Sequence, residues 1–400
     1  MTTEKSPTRA PVPTPDPITA SGLEDVVAAT TRLSDVDGER GRLVIAGHPV
    51  EELAGTATFE DVVHLLFRGA LPTDAERATV REALAEAREN AFARLPDLGD
   101  ALALADAMDA LRAAVAHHVG HGAHHARHAA AARSADARRE APNDALAEAV
   151  GIVGAAAVYA AAWARQGAPV RPDATLPHAA DYLRMATGAI PPAASVAALD
   201  AYLVTVVDHG MNASTFAARV VASTASDTVS AVVAAIGALK GKLHGGAPGP
   251  VLDMLDAISD ASEAPSWVAE ALARGDRIMG MGHRVYRVRD PRAFVLERAV
   301  AVLQESAPAG SRTAARLALA RAVEREAEQQ LARRHPERAL KANVEFYTAV
   351  LLEAVGLPRA LFTPTFAVAR AAGWCAHVDE QRRYGRLIRP RSRFVHAPPA

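Results

Sequence analysis

Along most of the chain apolar residues recur at three- and four-residue spacing, and long alternating runs are absent, so the pattern predicts a mostly helical fold. Thr58-Phe-Glu-Asp-Val-Val-His-Leu-Leu-Phe sets a capping residue before a helical run that Gly69 and Pro72 end. Helical spacing continues from Ala75 to about Leu95, from Leu102 to Arg133 and from Ala145 to Arg165, with Pro and Gly clusters between. Pro191-Pro192 introduces a further helix through about His209, and Ala213–Leu239 is small and apolar throughout, as expected of an element buried on most sides. After Gly245 turn residues prevail until a charged amphipathic helix around Ala314–Arg334. A helix beginning near Asn343, an apolar helix over Phe362–Cys375 and an irregular arginine-rich tail from Tyr384 follow. The one β-type run lies between turn residues in Asp37-Gly-Glu-Arg-Gly-Arg-Leu-Val-Ile-Ala-Gly-His-Pro-Val and predicts a small hairpin or ribbon.

Composition sharpens this to an all-α fold. Half of the 400 residues are hydrophobic but only 4% are aromatic, and alanine-rich runs such as Ala155–Ala157 favour closely packed helices over a sheet sandwich. The length calls for more than one compact helical core. The expected division is a flexible tail over 1–20, a large helical domain over 21–245 and 356–400, and a smaller, mobile domain inserted at 246–355. A formal net charge of −2 leaves no general basic footprint for nucleic acid or an anionic membrane surface, so small-molecule substrates are expected. The single cysteine, Cys375, excludes an intramolecular disulfide and a cysteine-based zinc motif. No apolar core of signal-peptide length precedes Ile18, and no later run reads as a bilayer span, which together point to the cytoplasm.

Three islands interrupt the helical background. In Gly241-Lys-Leu-His-Gly-Gly-Ala-Pro, His244 stands among glycines that suit either a helix-terminal turn or close backbone approach to a ligand. In Gly280-Met-Gly-His-Arg-Val-Tyr-Arg-Val-Arg-Asp-Pro-Arg, His283 shares a Gly-bounded stretch with four arginines, which reads as a solvated face or as a site for carboxylates and phosphates. In Ala342-Asn-Val-Glu-Phe-Tyr, Asn343 is a capping residue and Glu345 lies in the first turn, where a glutamate ordinarily compensates the helix dipole. To act as a base there it needs burial or aromatic cover, for which Phe346 and Tyr347 are candidates. A further run, His117-His-Val-Gly-His-Gly-Ala-His-His-Ala-Arg-His, pairs histidines four apart as a metal site would, yet it holds two glycines and no nearby carboxylate or thiolate, so a mobile or surface stretch is the preferred reading.

Taken in order, the islands resemble the citrate synthase family, and the likeness runs from about Leu23 to the C-terminus. Asp37-Gly-Glu-Arg-Gly, Glu51-Glu-Leu, Leu71-Pro-Thr, Met108-Asp-Ala-Leu-Arg, Asp208-His-Gly-Met-Asn-Ala-Ser-Thr-Phe and Arg389-Pro-Arg are similar to that family too. The resemblance implies a two-domain helical fold and condensation of acetyl-CoA with oxaloacetate, followed by hydrolysis to citrate and CoA. It assigns His244 to the thioester carbonyl, Glu345 to removal of the methyl proton, and His283 to the oxaloacetate carbonyl. His209, Arg292, Arg370 and Arg389 would bind substrate or product, with Arg389 supplied by the partner of a homodimer, and Arg287 would meet a CoA phosphate. No metal and no redox cofactor are implied; acetyl-CoA or propionyl-CoA is the co-substrate. The family's usual base is aspartate in an Asn-Val-Asp context, so Glu345 is a departure that moves the carboxylate by a distance able to cost about a hundredfold in rate. A 2-methylcitrate synthase using propionyl-CoA and a non-catalytic binding protein of the same fold are the alternatives.

Overall fold

The computed structural model describes residues 22–392 apart from 24–25, 119–141, 246–247, 283–284 and 339. Its only sheet among the described residues is a three-stranded antiparallel ribbon, β1 (Ser34–Asp37), β2 (Arg42–Ile45) and β3 (His48–Pro49), in that order. Ala46 and Gly47, both at positive φ, make the tight β2–β3 turn, while Leu43 and Ile45 point into the core.

Helices follow: α1 (Val50–Leu53), α2 (Phe59–Arg68), α3 (Asp74–Ala93), α4 (Ala107–Ala116), α5 (Pro142–Ala164), α6 (His178–Thr187), α7 (Ala193–Val206), α8 (Ala213–Ser223) and α9 (Thr228–Leu239). Then come α10 (Pro248–Asp256), α11 (Ala264–Arg274), α12 (Pro291–Ser306), α13 (Arg312–Arg334), α14 (Val344–Ala354) and α15 (Phe362–Tyr384). The caps read from the sequence do their work: Thr58 and Asp61 form a reciprocal capping box on α2, and Gly69 closes that helix at φ 75°. A mostly helical fold with a small β-ribbon is therefore what the chain adopts.

The core is built around α5 and α15, which pack against each other; α3 and α4 cover α5, and α8 and α9 lie against α15. Nearly every residue of α15 as far as Val378 is buried, which no amphipathic surface helix would show. Residues 145–164 are in fact long and apolar enough to cross a membrane, contrary to the sequence reading, but most of that stretch is buried inside the protein, which accounts for its composition.

Four further expectations about the helices need correction. Ala213–Leu239 is two helices, because Ala225 turns at φ 65° and Asp227 caps a new start by accepting the Ser230 N–H. One face of that pair stays part-exposed, so it is not enclosed on most sides. The helix expected from Leu102 begins only at Ala107, where Asp106 accepts the Asp109 N–H at 2.9 Å; the rest of the histidine run, from 119, lies outside the described residues. The turn-rich stretch after Gly245 also holds α10, α11 and α12, and the apolar helix expected to stop at Cys375 runs on to Tyr384.

Candidate active site

The N-termini of α8, α12 and α14 and the middle of α15 supply most of the described polar groups. Beyond the end of α9, the Gly245 N–H reaches back to the Leu239 carbonyl (3.0 Å) and the His244 N–H to that of Gly241 (2.9 Å). A Cβ on Gly245 would collide with the Leu239 carbonyl, so this turn needs glycine. Thr363 ties it to α15 by donating to the Gly245 carbonyl at 2.9 Å. The His244 ring then lies with Nε2 2.9 Å from Ser214 Oγ and edge-on to Phe366, with ring centres 6.2 Å apart. Burial, reinforced by the positive charge of Arg370, pushes its pKa down to about 4, so the imidazole is neutral at physiological pH.

Glu345 is the second residue of α14, whose cap Asn343 accepts the N–H groups of Glu345 (2.9 Å) and Phe346 (3.3 Å). Burial raises its carboxyl to about 7, outweighing the pull of Arg292 and Arg370, while Asp290 adds to the rise. The candidate aromatic neighbours do other work: Phe346 packs under the Gly280 loop and the Tyr347 hydroxyl donates to Glu324.

The same helix start holds the second island. Asn343 donates from its main chain to the Gly280 carbonyl (2.9 Å) and from its amide to the Gly282 carbonyl (2.6 Å), and the Gly282 N–H donates to Lys341 (2.8 Å). Gly280, at φ 77°, has room for no side chain, since a Cβ would lie 2.7 Å from that of Phe346. His283 itself lies outside the described residues, but the residue before it is fastened beside the Glu345 helix start.

Asp290, Pro291 and Arg292 are cap, first and second residues of α12. Arg292 folds back onto its own cap, donating from Nε to Asp290 Oδ1 (3.1 Å) and from Nη2 to Oδ2 (2.9 Å). Its guanidinium lies 5.7 Å from the Tyr286 ring centre, and the Tyr286 hydroxyl is 2.9 Å from Nε2 of His209. Although burial opposes its charge, Asp290 and the other negative neighbours raise the Arg292 pKa, so it stays cationic. Arg370, from α15, is buried and donates from Nε to the Val206 carbonyl (2.6 Å), with its plane 4.8 Å from the Phe366 ring centre. Burial lowers it to about 10, so it too remains charged at neutral pH. Its Nη1 is buried and finds no hydrogen-bond partner among the described residues. An unpaired buried donor costs about 1–3 kcal/mol, so this edge suits an incoming anion.

His244, Glu345, Arg292 and Arg370 are thus electrostatically linked, and His209 joins them through Tyr286. Two expected residues stand apart. Arg389 is exposed on the tail after α15, and Arg287 is exposed with its N–H donated to the Gly38 carbonyl at 2.9 Å and its Nε 3.7 Å from Glu39.

A family model described as the C-terminal domain of citrate synthase matches residues 22–391. The chain belongs to the citrate synthase family. Its similarity to a citrate synthase of Haloferax volcanii is 40% identity over 94% of this chain and 95% of that protein. A 2-methylcitrate synthase of Mycobacterium tuberculosis is 35% identical over 96% of this chain and 92% of its own length. The crystal structure of a citrate synthase of Thermoplasma acidophilum, a ternary complex with carboxymethyl coenzyme A and oxaloacetate, superimposes with a TM-score of 0.77 at 28% identity, covering 95% of this chain and 96% of that one.

In this citrate synthase family member several site residues escaped the sequence reading. Asp290 and Ser214 sat inside motifs already noted, where their cap and second-position places in the helix were a usable signal. Tyr286 lies within the second island, where nothing local shows that its hydroxyl meets His209. Nothing local marked Trp374, whose indole N–H donates to Ser214 Oγ at 3.1 Å, or the buried network under His209. There Asp208 accepts from Ser34 Oγ (2.5 Å) and from His377 Nε2 (3.1 Å), and Arg219 donates to His377 Nδ1 (2.9 Å). Ser34 in turn accepts the Gly210 N–H at 2.8 Å, so His209 is held from both sides. These hydrogen bonds and the charge of Arg370 hold Asp208 near 2 despite burial.

Proposed function

We propose that this enzyme condenses acetyl-CoA with oxaloacetate at the His244–Glu345 site and hydrolyses the resulting citryl thioester to citrate and CoA. The observation that carries this is a glutamate whose carboxyl is raised to about 7 between two buried arginines, beside a neutral histidine. The Glu345 carboxylate takes a proton from the thioester methyl while the His244 ring donates a hydrogen bond to the carbonyl oxygen, where negative charge develops. The enol carbon bonds to the ketone carbon of oxaloacetate, whose oxygen His283 polarises and protonates; water then cleaves the thioester and CoA leaves as the thiol. Arg292 and Arg370 hold substrate and product carboxylates, for which the unpaired Nη1 of Arg370 is suited. His209, held by Tyr286, contacts the same substrate.

The reading extends to a homodimer in which Arg389 serves the neighbouring subunit's site and Arg287 meets a CoA phosphate; the exposure of both arginines suits those roles. On α9, Val229, Val233 and Gly237 recur every four residues on a part-exposed face, a narrow stripe suited to a second copy. The smaller domain at 246–355 closes over oxaloacetate and keeps the enol from water. No resident metal or redox cofactor is needed for this chemistry, and the single, buried Cys375 suits the reducing cytoplasm.

Free-thiol release with oxaloacetate plus acetyl-CoA or propionyl-CoA tests the reading. Faster release from acetyl-CoA is expected. A strong preference for propionyl-CoA would move the assignment to 2-methylcitrate synthesis, and no release from either would leave a binding protein. Glu345→Asp should lose about tenfold to a hundredfold in kcat, since the carboxylate withdraws by roughly one bond length; a gain would show that glutamate is the poorer fit.

A further inference from the structure

Arg219, on α8, is buried and divides its guanidinium between two residues of α15 that stand one helical turn apart, His377 and Gln381. Its Nε lies 2.9 Å and its Nη2 2.7 Å from His377 Nδ1, and its Nη1 donates to Gln381 Oε1 at 3.1 Å. A guanidinium only donates. His377 Nδ1 is therefore an acceptor, the ring proton sits on Nε2, and that proton is given to the Asp208 carboxylate at 3.1 Å. The Gln381 amide is fixed by the same rule: its oxygen faces Arg219 and its NH2 donates to the Arg386 carbonyl at 2.9 Å. One turn beyond Arg219, Ser223 Oγ accepts the Ile388 N–H at 3.0 Å. Glu380, which pairs with Arg219, balances its charge.

The two arms reach different places. Through His377, Arg219 bears on Asp208, the residue before His209. Through Gln381 it bears on Arg386, and the stretch pinned at 386 and 388 leads directly into Arg389. We propose that Arg219 is a positioning residue for two active sites at once: it holds His209 in its own subunit and sets the course of the tail that presents Arg389 to the partner's site. The proposal rests on the reading of Arg389 as a residue shared across a homodimer. A displacement of about 1 Å at either end is enough to slow the reaction. Lysine at 219 keeps the charge that Glu380 balances, but a single ammonium does not reproduce the fork that serves both arms.

Arg219→Lys and Gln381→Met test it in mixed dimers, each isolated by two different affinity tags. Paired with a Glu345→Gln mate, a variant chain supplies the one working base, so activity reports on the variant's own site. Paired with an Arg389→Ala mate, it supplies the one Arg389, so activity reports on the mate's site. Arg219→Lys should raise KM for oxaloacetate about tenfold with the first mate and lower kcat/KM about tenfold with the second. Gln381→Met should match wild type with the first mate and fall about tenfold in kcat/KM with the second. Both variants should exchange the amide hydrogens of residues 385–389 faster than wild type, a readout that needs no activity. Impairment of Arg219→Lys with only one mate overturns the double role, and so does wild-type activity of either variant with the second. Equal losses of Gln381→Met with both mates are the mark of a loosened core and overturn it as well. Unchanged exchange in the tail overturns the arm through Gln381. Full activity in an Arg389→Ala homodimer would overturn the shared site itself, while the KM of Arg219→Lys with the first mate would still decide its role toward His209.

Discussion

Glu345 was legible in the sequence as a first-turn carboxylate, and its position alone argued for a lowered pKa. The fold reverses that sign by burying the side chain, which raises the carboxyl from 4.5 to about 7. Two outcomes follow at this one residue. As a base it must be ionised, so kcat/KM should climb with pH through about 7 and fall away on the acid side, which a pH–rate profile checks. Because the folded pKa lies above the unfolded one, ionising Glu345 costs stability that is absent below about 4.5 and complete above about 7. Glu345→Gln should therefore be more stable than wild type by about 3 kcal/mol at pH 8, with a smaller gain at pH 5, measured by thermal or denaturant unfolding at both values. Equal gains at the two pH values would mean that burial of the charge is not the cause.

Among the elements, the ends carry the function. Asn343 was read as a cap residue and Asn212 and Asp290 prove to hold the same place, and each starts a helix whose second residue is a site group: Ser214, Arg292 and Glu345. A cap fixes the φ, ψ and direction of the first turn, so a local signal placed these side chains to within one turn. The contact between the 280–282 loop and the start of α14 was not readable, because it joins residues about 60 positions apart. Gly280→Ala tests it. A methyl there meets Phe346 Cβ at 2.7 Å and sits at φ 77°, so the variant should lose about 1–3 kcal/mol of stability. It should also lose kcat beyond what unfolding explains, as the loop before His283 shifts against Glu345. Wild-type kinetics in a folded Gly280→Ala protein would argue against that coupling.

At the scale of the whole molecule, Arg389 is one of the two expected residues that stand apart: it is exposed, outside the cluster its own helices assemble. If a partner's site takes it, Glu345→Gln and Arg389→Ala should each be nearly inactive, yet refolded together they should regain activity. Random pairing gives a mixed dimer in which one site carries both defects and the other none, so about a quarter of all sites become intact. A mixture as inactive as its components would sink the shared-site reading.

What the sequence by itself determined is the helical class, most of the longer helices and the polar islands between them, because periodicity and capping are properties of a few neighbouring residues. It marked His244, Arg292, Arg370 and Glu345 as separate candidates and misjudged what lay between motifs, reading Ala213–Leu239 as one helix and passing over α6, α10, α11 and α12. Only the tertiary structure decided that these groups share one desolvated space, that Glu345 is raised and His244 lowered, and that Trp374 and His377 stand behind them. Burial and long-range hydrogen bonds depend on which distant helices meet, and no local pattern contains that.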